Sequence, residues 1–417
     1  MRAPQCSTDP SEILSGAVID DPHPFYARVL ENCPVSQVGE TGVHLVATGE
    51  RILEVLDREE DFSANLRGVL VRDANGNPGT FEFPVIDGAQ VIATADEPRH
   101  RVHRQLVKPG FGADRIAGLE PKIRGWARET VSNWLNQGGG DFARVVEIVP
   151  ARVVGHLLGL PEGDAERHRA WAMMGGEILA GSVDPQGVEG LFRVTAVMAA
   201  YLSQHIQVAM ETAESSAGDS LLDHLARGVL RQQIDLSEAT GIAIVMFGAG
   251  GESTSALMGS AIRILAENPD LVHRLRASPE QIPRFVEESV RLEPPFKFHY
   301  RGVRRECELA GFELRPGDRL MLLWAAANRD PAVYASPDEV RFDRKYPKHH
   351  LSFGRGAHFC VGEQIARLET RVMIEEFLRC PSDFSLDAKD PPVYARSIFV
   401  RRLERLPIVA ARRSSPN

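Results

Sequence analysis

Cysteine is scarce in this chain: Cys6, Cys33, Cys307, Cys360 and Cys380 are the only five in 417 residues, they lie far apart, and none forms a C-x-x-C pair. That scarcity argues against a disulfide framework and against a zinc ribbon. Positive charge is also in deficit. A formal net charge of −9 leaves no basic face to neutralise phosphates, so nucleic acid is not an expected partner. Met1 to Phe25 holds Pro4, Pro10, Pro22 and Pro24 with Asp20 and Asp21, and has neither a basic start nor an apolar run. Nothing there reads as a signal or membrane anchor, and a cytoplasmic protein is expected. There is no internal repeat and no low-complexity tract. No glycine-rich stretch is followed by G-K-[ST], which sets a phosphate loop aside.

What is present is ordinary globular material, 43% hydrophobic and 25% charged, punctuated throughout by glycine and proline. Residues 1–417 read as a single domain. Apolar positions from about Leu119 to Leu292 recur at helical spacing, whereas segments rich in β-formers stand at Val43 to Ala47, Leu309 to Leu323 and Ile398 to Val400. The fold class is therefore mainly α with small β-sheets (α+β).

Two helices can be bounded. One opens at Ser237 and ends near Asn268-Pro269, where proline forbids continuation. At 1.5 Å per residue it spans roughly 45 Å, about the width of the domain. In its middle lies Gly248-Ala249-Gly250-Gly251-Glu252-Ser253-Thr254-Ser255. Each internal glycine there costs about 0.5 to 1 kcal/mol relative to alanine, a local conflict that points to a functional site. The second helix begins at Ser278-Pro279-Glu280-Gln281, an S-x-x-Q capping box, and carries Glu288 and Arg291 three residues apart. Periodicity places this pair off the apolar face, as an exposed ion pair.

The segment His349 to Gly362 packs three glycines and Cys360 between a short extended stretch and a helix containing Ala366-Arg367-Leu368-Glu369. Glycines allow a tight loop whose N–H groups point at an anion, and a thiolate at a helix start is such an anion, its pKa lowered by the dipole and by nearby Arg or His. The other four cysteines read as small hydrophobes.

Phe353, Gly356, His358, Cys360 and Gly362 match every fixed position of F-x-x-G-x-R/H-x-C-x-G, and here the sequence resembles the cytochrome P450 family of bacterial soluble haem-thiolate monooxygenases. The resemblance runs along nearly the whole chain. Asp21 to Tyr26, Asp96 to His100 with Arg104, Ala249 to Thr254, Glu288 to Arg291 and Ala327 to Pro331 resemble further family segments, in the family's order. It implies a fold with one long helix crossing the domain over haem b (iron protoporphyrin IX), and it implies Cys360 as the iron ligand. His100, Arg104, Arg301 and His358 would hold the propionates, and Ala249, Gly250, Phe353 and Gly362 would contact the cofactor. It also implies burial of Glu288 and Arg291, with either Arg341 or Arg344 completing their network.

Ala249 to Thr254 resembles A-G-x-D/E-T-T, which implies that Glu252 and Ser253 deliver protons to dioxygen and that Gly250 and Gly251 let the helix widen beside it. The family usually has Thr where this chain has Ser253. The hydroxyl is kept, but without the β-methyl it is free to swing back to a carbonyl of the preceding turn.

By the same resemblance, pocket walls come from Gly68 to Ile92, Met173 to Ile178, Pro295 to His299 and Arg396 to Phe399. Phe81, Phe83, Phe296, Phe298 and Ile398, with Phe399, would make an apolar lining for a small organic substrate, and Lys297 or His299 could meet a carboxylate or carbonyl. No flavin or nicotinamide domain fits beside the haem domain, so electrons would come from a separate ferredoxin and its NAD(P)H reductase. Arg99, Arg101, Arg104 and Lys108, together with Arg341, Arg344, Lys345, Lys348 and Arg355, form basic stretches suited to an acidic ferredoxin. Two other readings stand beside the monooxygenase: a haem-thiolate protein that binds a ligand or gas without efficient turnover, and a peroxide-driven oxygenase.

Overall fold

The central helix sets the architecture. Leu236–Glu267 opens on a reciprocal cap in which Asp235 accepts the Glu238 N–H and the Glu238 side chain accepts the Asp235 N–H. The cap residue is thus Asp235 and not Ser237. A fully buried run including Ala256, Leu257, Met258, Ala261 and Ile262 carries the helix through the main core. The computed structural model describes residues 7–73, 75–83, 90–181, 185–212 and 218–412. Within them this is the one helix long and apolar enough to cross a membrane, and its surface is largely spent on protein contacts.

Helices Ala143–Leu158, Ala165–Ala172 and Pro185–Thr212 pack along one side of it, and Ile282–Leu292 and Glu363–Arg379 along another. A five-stranded sheet stands to the side. Its order is Val35–Gln37, Val43–Val46, Arg319–Leu322, His299–Val303, Phe62–Ser63, antiparallel except where Arg319–Leu322 runs parallel to Val43–Val46. Strand His299–Val303 brings His299 and Arg301, two residues apart on one face, to the edge of the helical core.

Three local expectations are corrected. The Ser278 side chain makes no cap hydrogen bond; Pro279–Gln281 is a 3-10 turn and the helix proper starts at Ile282, because Gln281 Oε1 is taken by Arg274 Nε at 2.8 Å. Ile398 to Val400 forms no strand, only a single bridge between Phe296 and Val400. There the Ser397 hydroxyl accepts the N–H groups of Phe399 and Val400 and turns the chain. Cys33 is disulfide-bonded rather than a lone small hydrophobe, since distance along the chain does not bar pairing in space. Cys6 lies outside the described residues.

Glu288 and Arg291 are buried, not exposed: their relative exposures are 1% and 0%. Arg291 Nε and Nη2 donate to the two Glu288 oxygens at 2.9 Å. Its Nη1 and Nη2 also reach the carbonyls of Asn328, Pro337 and Glu339. Of the two candidates for the third member, Arg344 supplies the guanidinium, Nε to Glu288 at 3.0 Å. Arg341 contributes its backbone N–H and turns its side chain to Asp343.

Candidate active site

Two glycines shape the loop before the last long helix. Gly354 and Gly356 have φ of +71° and +70°, a region where a side chain would be strained. Between these turns the Cys360 N–H donates to Phe353 O at 2.9 Å, and Gly362 leads into the helix Glu363–Arg379. What precedes the loop is a 3-10 turn, Pro347–His349, rather than an extended stretch. Asn328 ties the loop to the scaffold: its Oδ1 accepts the Leu351 N–H at 2.7 Å, its Nδ2 donates to Ser352 Oγ at 2.8 Å, and that hydroxyl donates to Val290 O at 2.7 Å. Arg367 stacks over the Phe353 ring, 4.4 Å from its centroid.

Burial pushes the Cys360 thiol up, while the Gly362 N–H, Arg367 and Arg104 oppose the shift without overcoming it. The loop N–H and the cations lower it as the sequence implies, and desolvation of the charged form outweighs them.

A cavity stretches from this loop to the central helix. Phe353, Cys360 and Gly362 lie on one wall and Ala249, Gly250 and Ser253 on the other. At one end stand His100, Arg104, Arg301 and His358. The His100 and His358 rings stack with centroids 3.9 Å apart. Burial, with Arg301, His100 and Arg104 beside it, pushes His358 down to about 3. Burial likewise pulls Arg301 down to about 10, and its Nη1 donates to Tyr300 O. His100 Nδ1 meets Glu97, and its Nε2 is buried with no partner. Such a cluster of donors, His100 buried and the other three half-buried, favours an anion beside it. Two carboxylates on a flat apolar group, with a thiolate-seeking metal at its centre, satisfy it, so haem fits these residues.

The two residues of the expected proton route are separated. The Ser253 hydroxyl lines the cavity but donates back to Ala249 O. Glu252 turns away from the cavity: it is 2% exposed, its Oε2 accepts the Gly176 N–H at 2.8 Å and its Oε1 meets Arg402 Nε at 3.1 Å. Burial raises Glu252 to about 7 against the pull of Arg402 and the Gly176 N–H. The central helix does not widen beside them, being α-helical throughout Gly248 to Ser255. Its glycines serve close packing instead. A Cβ on Gly248 would stand 2.8 Å from Gly175 Cα, and one on Gly251 would stand 2.3 Å from Ala172 Cβ.

Of the expected substrate contacts, Phe296 lines the cavity. Phe296 also packs against an apolar cluster beside the five-stranded sheet, in which Phe298 and Ile398 are buried and against which Phe81 and Phe83 lie half-buried. Lys297 is 3% exposed and donates to Ser397 O at 2.7 Å. His299 does line the cavity, its Nδ1 accepting the Trp324 indole N–H at 2.7 Å, and burial drives it down to about 3. Sequence reasoning missed Arg402, Trp324 and Glu369. Arg402 and Trp324 reach their partners from distant segments and carry no local signal. Glu369 has one, an acid on the same helical face as Ile365 and Ala366.

The fold and the donor set are those of haem-thiolate proteins. The Cytochrome P450 family model matches residues 184–394. Cytochrome P450 144 of Mycobacterium tuberculosis is 36% identical over 400 residues, covering 95% of this chain and 91% of that protein. The erythromycin C-12 hydroxylase of Saccharopolyspora erythraea is 31% identical over 344 residues, covering 80% and 84%. Among solved structures, CYP109E1 from Bacillus megaterium in complex with testosterone superposes with a TM-score of 0.81 at 25% identity, covering 94% of this chain and 98% of that one. The chain belongs to the cytochrome P450 family. It is a P450 monooxygenase, and its cofactor is haem b.

Proposed function

We propose that residues 1–417 form one cytoplasmic haem-thiolate domain that inserts one atom of O2 into a small, largely apolar organic substrate, with electrons from a separate ferredoxin and NAD(P)H reductase. The observation that carries this reading is the single cavity with Cys360 on one wall, Ser253 on the opposite wall and His100, Arg104, Arg301 and His358 at one end. Haem bound there supplies the dioxygen activation, favoured by a thiolate ligand. Cys360 ligates its iron, and the four end residues hold its propionates. Phe296, Val245 and Leu257 exclude water from the substrate side, and the His299 imidazole offers one N–H, at Nε2. Glu252 relays protons from solvent and Ser253 hands them on once its hydroxyl leaves Ala249 O.

Erythromycin and testosterone, named with two of the relatives, are both ring compounds, so a largely apolar ring compound is the substrate class to screen first. For the donor, much of the expected basic surface is already neutralised: Arg99 pairs with Glu238, Arg101 with Glu97, Arg341 with Asp343 and Arg344 with Glu288. Among the described residues Lys108, Lys345, Lys348 and Arg355 make no recorded ion pair, and these remain for an acidic ferredoxin.

Protein loaded with haem should give the red-shifted Soret band of a thiolate complex in its ferrous carbonyl form, and Cys360→Ala should lose it. Product and NADH consumption with a surrogate ferredoxin system then test the reaction. A second reading, ligand or gas binding without efficient turnover, is favoured by the Ser253 hydroxyl being bound to Ala249 O. It predicts NADH oxidation without product across a substrate panel chosen by low-to-high spin shift.

A further inference from the structure

Phe353, whose carbonyl accepts the Cys360 N–H, has two polar neighbours at its ring. The Arg367 guanidinium lies over it, 4.4 Å from the centroid, and the His350 ring stands tilted beside it at 5.8 Å. Both are held by one carboxylate. Glu287, 5% exposed, accepts from Arg367 Nε at 2.5 Å and Nη2 at 3.1 Å, and from His350 Nε2 at 3.0 Å. The three come from separate elements: Glu287 from the helix Ile282–Leu292, His350 from the turn that opens the cysteine loop and Arg367 from the helix that follows it. His350 Nδ1 is buried without a partner, so the bond to Glu287 is the one that orients its ring. The remaining Arg367 nitrogen, Nη1, turns to Glu363. Glu288, the next residue, serves a different pair, Arg291 and Arg344.

We propose that Glu287 is a positioning residue that fixes Arg367 and His350 against Phe353 and thereby sets the potential at which the thiolate-bound iron takes up an electron. The inference rests on Cys360 ligating haem iron, as read above, and on nothing about the substrate. Burial pushes Glu287 up, yet His350 and Arg367 hold it below the usual carboxylate range, so it is charged at neutral pH. Burial lowers His350 in spite of Glu287, which leaves the imidazole neutral and makes Arg367 the cation of the group. Against the burial of the Cys360 thiol, Arg367 counts for more than Arg104. Arg367 thus brings positive charge to bear on the sulfur, and Glu287 offsets it where burial leaves little screening. Each electron that arrives from the external donor adds negative charge to the site. Arg367 therefore favours the reduced form and Glu287 opposes it.

The measurement is the reduction midpoint of the haem-loaded protein, titrated without substrate. Glu287→Gln keeps the shape of the side chain and removes its charge. It should favour the reduced form about tenfold, a rise of about 59 mV for one electron, and move the C–O stretch of the ferrous carbonyl complex to higher wavenumber. Arg367→Gln should shift both readouts the opposite way. The double variant, Glu287→Gln with Arg367→Gln, leaves neither charge buried without its partner and should return close to the parent's midpoint, whereas mere loosening of the loop would move all three variants in one direction. Glu287→Asp, which keeps the charge, should restore most of the parent's value. Equal midpoints in Glu287→Gln and the parent overturn the proposal, and so do shifts of one sign in Glu287→Gln and Arg367→Gln. If Glu287→Gln does not retain haem, the step from Arg367→Gln to the double variant decides: an upward step supports the role and no step overturns it. A parent without the red-shifted carbonyl band shows instead that the ligand reading has failed, and this inference falls with it.

Discussion

Ser253 shows how far one methyl group can matter. Its hydroxyl is free to rotate, and it satisfies itself on Ala249 O, the local alternative that serine finds readily inside helices. A β-branched residue there has fewer χ1 options. Ser253→Thr should therefore raise the ratio of product to NADH consumed, measured with the ferredoxin system at saturating substrate, and an equal or lower ratio contradicts the assignment. Glu252 is governed by a balance of two opposing effects, burial raising it to about 7 and Arg402 pulling it back. Arg402→Gln removes the pull, so the pH at which Glu252 is half ionised should move higher, read as an upward shift of the alkaline limb in the pH profile of turnover. Stability has the same sign. Because the folded-state pKa lies above the ordinary 4.5, the contribution of Glu252 is fully present below that value and is lost as pH rises through about 7. Thermal melts of Glu252→Gln should be flatter across that window.

At the scale of elements, the glycines of the central helix are a packing device. Gly248 meets the backbone of Gly175 and Gly251 meets Ala172, so the segment after Ala165–Ala172 approaches more closely than side chains would permit. This close approach also brings Gly176 N to Glu252. Gly248→Ala should lose about 1 to 3 kcal/mol through overpacking, seen as a lower Tm. Gly118, exposed in the helix Ala113–Asn136 with nothing within 4 Å of an added Cβ, is the control: Gly118→Ala should gain about 0.5 to 1 kcal/mol.

The whole molecule brings the cavity's charged end together from three distant places. Arg104 and His100 come from the helix Arg99–Val107, Arg301 from the sheet and His358 from the cysteine loop. Each charge-assisted hydrogen bond to a propionate is worth about 1.5 to 3 kcal/mol. Replacing Arg301 and His358 together with alanine should therefore speed haem transfer to apo-myoglobin about tenfold or more, with helical content by circular dichroism nearly unchanged. Transfer at the parent's rate contradicts the assignment.

The sequence by itself determined the helical class, the central helix and the cysteine loop, because each is written in contiguous residues: periodic apolar positions, a proline stop at Pro269, glycines spaced around Cys360. It also named residues that meet around one cavity. Only the tertiary structure decided which way they point. Glu288 and Arg291 read as exposed from one helix alone, yet Arg344 and the carbonyls of Asn328, Pro337 and Glu339 bury them. Lys297 and His299 are neighbours in sequence, and one faces Ser397 while the other lines the cavity. Glu252 found its partner 150 residues away in Arg402. Burial and pairing are set by what arrives from the rest of the chain, and for that reason neither a side chain's direction nor its pKa is legible in its own segment.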